Sequence, residues 1–248
     1  MNDTQKLIKK SIESAAREIL NVDLVVEYVG NVLERVRVIE KIYGIKFGPV
    51  YNTENVTGTF VPSVNGSPYY LLIQQNRNDM LDVMTVFHEY RHLVDYIQFK
   101  DTVYKGNIEE MKDDPIYVTF NVYSEYAATF FGVQQYFRNV STNSMTSEQL
   151  AKLYFKQANS EYLDFTNIIN RYQLLRHSLV YLGELLACSE FIENFDVNYY
   201  IDKMELSDEL KPIICNILQF TNEKAWYELN DKMMRTFVDG GDSVEIPI

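Results

Sequence analysis

The chain has 248 residues, 46% of them hydrophobic, which allows one large domain or a small domain with an extension around a substantial core. A formal net charge of -12 with scattered Lys and Arg argues against nucleic-acid and anionic-membrane partners, because such a surface repels phosphates. There is no basic-then-apolar leader, no bilayer-length apolar run and no CxxC pair among the 2 cysteines, so a soluble, cytoplasmic protein with Cys188 and Cys215 reduced is expected.

Ile8, Ile12, Ala15 and Ile19 recur at helical spacing and predict a helix over residues 4–20. The same spacing in Val25, Val29, Val32, Val36 and Ile39 predicts a second helix over 24–42, with Asn21 and Asp23 as breaker and cap. From Gly44 the texture changes to β-formers separated by turn signals. Strands are expected at 45–51, 57–61 and 69–75, with Asn52-Thr53-Glu54-Asn55 as one turn and Asn65-Gly66 as a hairpin signal. Three successive strands with short links imply a small antiparallel sheet.

Asn76-Arg77-Asn78-Asp79 offers caps to a helix over about 79–99 that buries Leu81, Met84, Val86 and Phe87. The polar stretch 101–115 ends in Asp114-Pro115 and reads as a loop. A helix over 116–137 carries Tyr123, Ala127, Phe130 and Phe131. After a polar break at 141–146, helices are expected over 147–160, 162–193, 207–220 and 222–237, with a kink or break near 167–170 and Pro212 in a first turn. The tail after Gly240-Gly241 is short, and no repeat or long linker interrupts the chain.

Two of the 3 histidines form His88-x-x-x-His92. On a helix, positions i and i+4 lie on one face, so both imidazoles can reach a single ion. Glu89 stands beside that pair, where it can address a water. This geometry makes HExxH two zinc ligands plus a general base. A non-metal histidine pair is the plainer alternative, and the helix, the preceding strand and a later carboxylate weigh against it.

A catalytic zinc site needs a third protein ligand and leaves a position for water. Residues 93–100 contain no Gly or His that would complete a metzincin-type site. Glu125, in Tyr123-Ser124-Glu125-Tyr126-Ala127-Ala128, is the leading candidate. Ala127 and Ala128 would allow its helix to approach closely. Glu109 and Glu110 compete from the polar segment. Asp95 shares the helix face of His88 and His92 and could orient a ligand imidazole, or simply be a solvated face residue. Candidates to stabilise transition-state charge are Tyr123, Tyr126, Tyr90 and His177, although His177 borders an apolar face where a structural role is the simpler reading.

These residues resemble a gluzincin-type minimal zinc metallopeptidase, and in particular the arrangement is similar to the ImmA/IrrE family of bacterial and phage zincins. The order of helix, small antiparallel sheet, HExxH helix and Glu helix is that family's order. The stretch Tyr69-Tyr70-Leu71-Leu72-Ile73 leading into the 76–79 cap resembles its strand and cap, and Glu125, Ala128 and Phe131 match its Glu-x-x-Ala-x-x-Phe pattern. The likeness covers roughly residues 1–137. It implies Zn2+ held by His88, His92 and Glu125, with Glu89 catalytic, and cleavage of a regulatory protein in a bacterium or phage. Arg91 stands where family members often have Gly, and the helical region from 141 onward has no counterpart there.

The expectation is thus an α+β fold: N-terminal helices, a small antiparallel sheet of about three strands, an HExxH helix and a Glu helix, then a mostly helical C-terminal half. Residues 1–140 would form a zincin-like metallopeptidase domain, and residues 141–248 a helical extension packed on it as one compact unit. The expected function is zinc-dependent hydrolysis of a peptide or protein substrate. The alternative from another class is a catalytically silent zincin-fold regulatory or interaction protein. A di-iron carboxylate site would need a second Glu-x-x-His, and position 174, three before His177, is Leu.

Overall fold

The computed structural model describes residues 1–46, 56–75, 79–104, 116–140, 145–164, 170–204, 206–219, 231 and 233–238. Helix α1 (Asp3–Ile19) opens with a capping box. The Asn2 side chain accepts from the Gln5 amide, and the Gln5 side chain accepts from the Asn2 amide. Its inner face buries Ile12 and Ala16.

The expected second helix over 24–42 is instead a strand followed by a shorter helix. Strand β1 spans Leu24–Val29 and helix α2 spans Val32–Tyr43. Val25, Val26, Tyr28 and Val29 are β-branched or aromatic and suit a pleated, half-buried surface. Asn31 caps α2 by accepting from the Glu34 amide, so the helix starts after the valines at 25 and 29.

Strands β2 (Gly58–Val61) and β3 (Tyr69–Gln74) lie where two of the expected strands fall. Asn65 and Gly66 turn between them with φ of 52° and 78°, the left-handed pair that suits a tight reversal. The sheet order is β1-β3-β2, with β2 antiparallel and β1 parallel to β3. The α+β class and the three strands stand, but the sheet is mixed rather than wholly antiparallel. Its third member is β1. Ile45 and Lys46 are not in a strand, and residues 47–51 of the remaining expected strand lie outside the described residues, as does the expected turn at 52–55.

Side chains of β3 alternate between two layers. Leu71 and Ile73 pack with Ile12 and Ala16 of α1, Leu24 and Val26 of β1, and Val86 and Leu93 of helix α3 (Asp79–Thr102). Tyr70 and Leu72 face α2 through Val32, Val36 and Ile39. Burial on both sides explains the unbroken apolar run in β3. The outer edge of β1 is covered by α1: Val26 N donates to Glu13 at 2.9 Å, and Val26 O accepts from Lys9. Helix α3 runs to Thr102, so the first residues of the expected 101–115 loop belong to it, and 105–115 lie outside the described residues.

From Gln98 onward the residues form a second compact unit, the first ending at Ile97 within α3. Its described helices are α4 (Ile116–Asn139), α5 (Ser147–Asp164), α6 (Arg171–Ser189), α7 (Val197–Lys203) and α8 (Leu210–Gln219). Asp231 and residues 233–238 are also helical. The expected helix over 162–193 is therefore the end of α5 and, separately, α6, which Asn170 caps. Residues 165–169, which include most of the expected kink at 167–170, the start of the 222–237 helix, and the tail lie outside the described residues. Helix α7 has no counterpart in the sequence reading; Asp196 caps it by accepting from the Tyr199 amide.

Helices α4 and α6 run side by side in the same direction. Gln134 donates to Glu190 at 2.6 Å, and the rings of Phe137 and Phe191 meet at 5.3 Å. Helix α5 returns against both: Tyr154 donates to Glu184 at 2.8 Å, Tyr181 donates to Asn159 at 2.8 Å, and the Tyr162 and Tyr181 rings stack. Cys188 is buried and Cys215 half-buried, both as free thiols.

Candidate metal centre

Helix α3 presents His88 and His92 one turn apart. Their Nε2 atoms are 3.0 Å from each other, and their rings meet nearly edge-on with centroids 4.7 Å apart. Two nitrogens bound about 2.0–2.1 Å from one tetrahedral zinc ion lie roughly 3.3 Å apart, so the pair already has close to a ligand separation. Ligand atoms of His88, His92 and Glu125 all lie within 4.8 Å of one another, forming a cluster that could hold a metal ion. Glu125 comes from α4, where the neighbouring Ala127 and Ala128 are buried. The rival candidates Glu109 and Glu110 lie outside the described residues.

Glu89 is 7% exposed and faces the sheet. A side chain at Gly58, the first residue of β2, would bring its Cβ to 3.0 Å from Glu89 Oε1 and 2.5 Å from Thr85 Cγ2. The backbone of β2 thus runs directly against the face of α3 that carries Glu89. Two turns past Glu89, Tyr96 packs against Phe60 and Tyr69, at 5.3 and 6.3 Å between centroids. The strand expected at 69–75 does not form an edge of the cleft. In the fold, β3 is the central strand, and β2 is an edge of the sheet formed by the described residues.

Arg91 Nε stands 2.7 Å from Asp95 Oδ1, and the Asp95 side chain is fully buried while Arg91 stays partly wet. Asp95 is thus a buried carboxylate on the histidine helix rather than a solvated face residue. Burial pushes the Tyr90 hydroxyl above the ordinary tyrosine range. Tyr123 is buried and Tyr126 half-buried, with their rings 6.0 Å apart. His177, on α6, is held below the ordinary histidine range by burial and then by Arg176, with Glu125 opposing the shift.

Two contacts at the site were not anticipated. Arg176 Nη2 stands 2.8 Å from Glu125 Oε1, and Gly58 admits β2 against Glu89. A glycine opening a strand does signal close backbone approach. Nothing local marks Arg176, because its partner lies on another helix.

Among the described residues no helix is long and apolar enough to cross a membrane. Comparison with protein-family models, with curated proteins and with solved structures finds no match to this chain.

Proposed function

We propose that this protein is a zinc-dependent hydrolase that cleaves peptide bonds, with Glu89 as general base. The observation that carries the reading is the convergence of ring nitrogens of His88 and His92 with a carboxylate oxygen of Glu125, beside the buried Glu89 that follows His88 on α3. Two imidazoles and one carboxylate make up a donor set of catalytic zinc sites, with one position left over. Zinc held by His88, His92 and Glu125 would supply Lewis acidity, lowering the pKa of a water and polarising the scissile carbonyl. Glu89 takes a proton from the attacking water and delivers it to the leaving amine.

The wall beside Glu89 favours an extended substrate. Among the described residues, strand β2 lies at an edge of the sheet with Gly58 against Glu89 and could pair with a peptide main chain, whereas β3 has both neighbours already. The resemblance to ImmA/IrrE zincins, over roughly residues 1–137, supports the same chemistry. Residues 1–140 would then form the peptidase domain and 141–248 its extension, with the cytoplasm as the place of action.

Metal analysis of protein purified without an affinity tag tests the site, with stoichiometric zinc expected. Less zinc, not restored by adding it, counts against the centre. A Glu89→Gln variant should keep the zinc and lose peptide cleavage. Full biological activity in that variant would instead identify a zincin-fold regulatory protein that needs no turnover.

A further inference from the structure

Positions 176 and 183 of α6 and 190, its C-cap, recur every seven residues and so lie along one stripe. Each meets α4. Arg176 stands against Glu125, Gly183 against the backbone of Tyr126 and Phe130, and Glu190 against Gln134 and Arg138. The middle contact is the closest: a Cβ on Gly183 would stand 2.7 Å from the Tyr126 carbonyl oxygen. A glycine there lets the two helix backbones approach until the guanidinium at the head of the stripe reaches Glu125.

Arg176 is bound to one oxygen of Glu125 while a carboxylate oxygen of that residue stays within 4.8 Å of the histidine nitrogens. A guanidinium competing with an ion for this carboxylate would draw it away from the imidazoles. Here the two relationships coexist. A carboxylate has more acceptor positions than one metal and one N–H require, and a planar guanidinium fixes its orientation. The opposing effect is repulsion between the guanidinium and a divalent ion. It is screened because the Arg176 side chain is 32% exposed. Freezing the rotamers of a flexible glutamate before the ion arrives outweighs it.

We infer that Arg176 is a positioning residue for Glu125, so that the helical half of the chain, through α6, builds part of the metal centre. The inference rests on the reading of His88, His92 and Glu125 as metal ligands. It gives the helical half a role in metal retention that the resemblance, ending near residue 137, does not supply.

The test measures the zinc dissociation constant of the full chain by competition with a chromophoric chelator. Thermal melts of each zinc-free variant report folding separately. Arg176→Met should weaken zinc binding roughly 10- to 100-fold, the range found when a partner that orients a ligand is removed. Arg176→Lys should fall between it and the parent, because an ammonium keeps the charge and loses the fork. It also serves as the readout if Arg176→Met does not fold. In a Glu125→Gln background, Arg176→Met should cost little more, since the partner it orients is gone. Unchanged or tighter zinc binding in Arg176→Met, with Glu125→Gln weakened, overturns the positioning role and leaves the ligand set intact. Equal losses from Arg176→Met in both backgrounds also overturn it, because the arginine would then act on the fold. Parent-like zinc binding by Glu125→Gln removes Glu125 from the ligand set and takes this inference with it.

Discussion

Gly58 and Glu89 touch through the absence of a side chain: a Cβ on Gly58 would stand 3.0 Å from Glu89 Oε1. The same atom would stand 2.5 Å from Thr85 Cγ2, which is well inside van der Waals contact. Gly58→Ala should therefore destabilise the chain by about 1–3 kcal/mol, the usual cost of overpacking. It should also displace Glu89 and reduce peptide cleavage more than zinc binding. Removing the Thr85 methyl in Gly58→Ala/Thr85→Ser should return part of the stability. Denaturant titration of the two variants checks this, and an additive loss would refute the assigned clash.

Gly183 poses the same question on a helix, where the sign decides it. Gly→Ala at an unconstrained helical site stabilises by roughly 0.5–1 kcal/mol. At Gly183 the new atom meets the Tyr126 carbonyl oxygen at 2.7 Å and the Phe130 amide at 3.1 Å, both backbone atoms held within α4. Overpacking wins, and Gly183→Ala should lower the melting temperature. A rise would show that α4 and α6 can separate without cost.

Glu184 should make stability depend on pH. Burial pushes its carboxyl up to about 7, with the hydrogen bond from Tyr154 acting against the shift and the Glu161 charge adding to it. The folded value lies above the ordinary one of 4.5, so the folded state holds the proton more tightly. Its contribution is therefore full below the unfolded value and is lost as pH rises through about 7, by roughly 3 kcal/mol in total. Glu184→Gln keeps an acceptor for Tyr154 and removes the titration. Its urea midpoint should change less than the parent's between pH ~5 and pH ~8. A parallel fall in both would assign the pH dependence elsewhere.

Cys188 should be inert in the folded chain. It is buried, and desolvation, with Glu184 nearby, pushes its thiol up to about 12, so almost no thiolate exists at neutral pH. Iodoacetamide should modify it only after denaturation, as read by mass spectrometry of the peptide that contains it. Rapid modification under native conditions would mean that α5 and α6 open readily.

The parts of this protein legible in the sequence are those fixed by short-range rules. His88 and His92 fall on one helical face by spacing alone, and Asn65-Gly66 announces its turn through backbone stereochemistry. Glu125 stands out as the one carboxylate in the helix that follows the polar stretch 101–115. Strand β1 is hidden in the sequence because Val25, Val29, Val32 and Val36 satisfy a helical period even though Gly30 and Asn31 divide them. A strand and the helix after it can mimic one amphipathic helix when the strand contributes only two of the marker residues, here Val25 and Val29, and the helix the other three. What needed the fold was every relationship between elements distant in sequence. The parallel pairing of β1 with β3, the central position of β3, and the meeting of Arg176 with Glu125 depend on closures that no local window contains.

The parallel register that joins Leu24 to Tyr69 also bears on the order of assembly. Helices α5 and α6 follow one another and can dock soon after each forms, whereas β3 gains its second neighbour only when the chain closes a loop that includes α2 and β2. Long-range closures of that kind are slow because their entropy is lost before any contact repays it. The layer of Leu71 and Ile73 on which Val86 and Leu93 of α3 rest is therefore completed late. His88 and His92, one turn apart on α3, can meet an ion before that layer is finished, so metal present during refolding should speed the final step as well as stabilise its product.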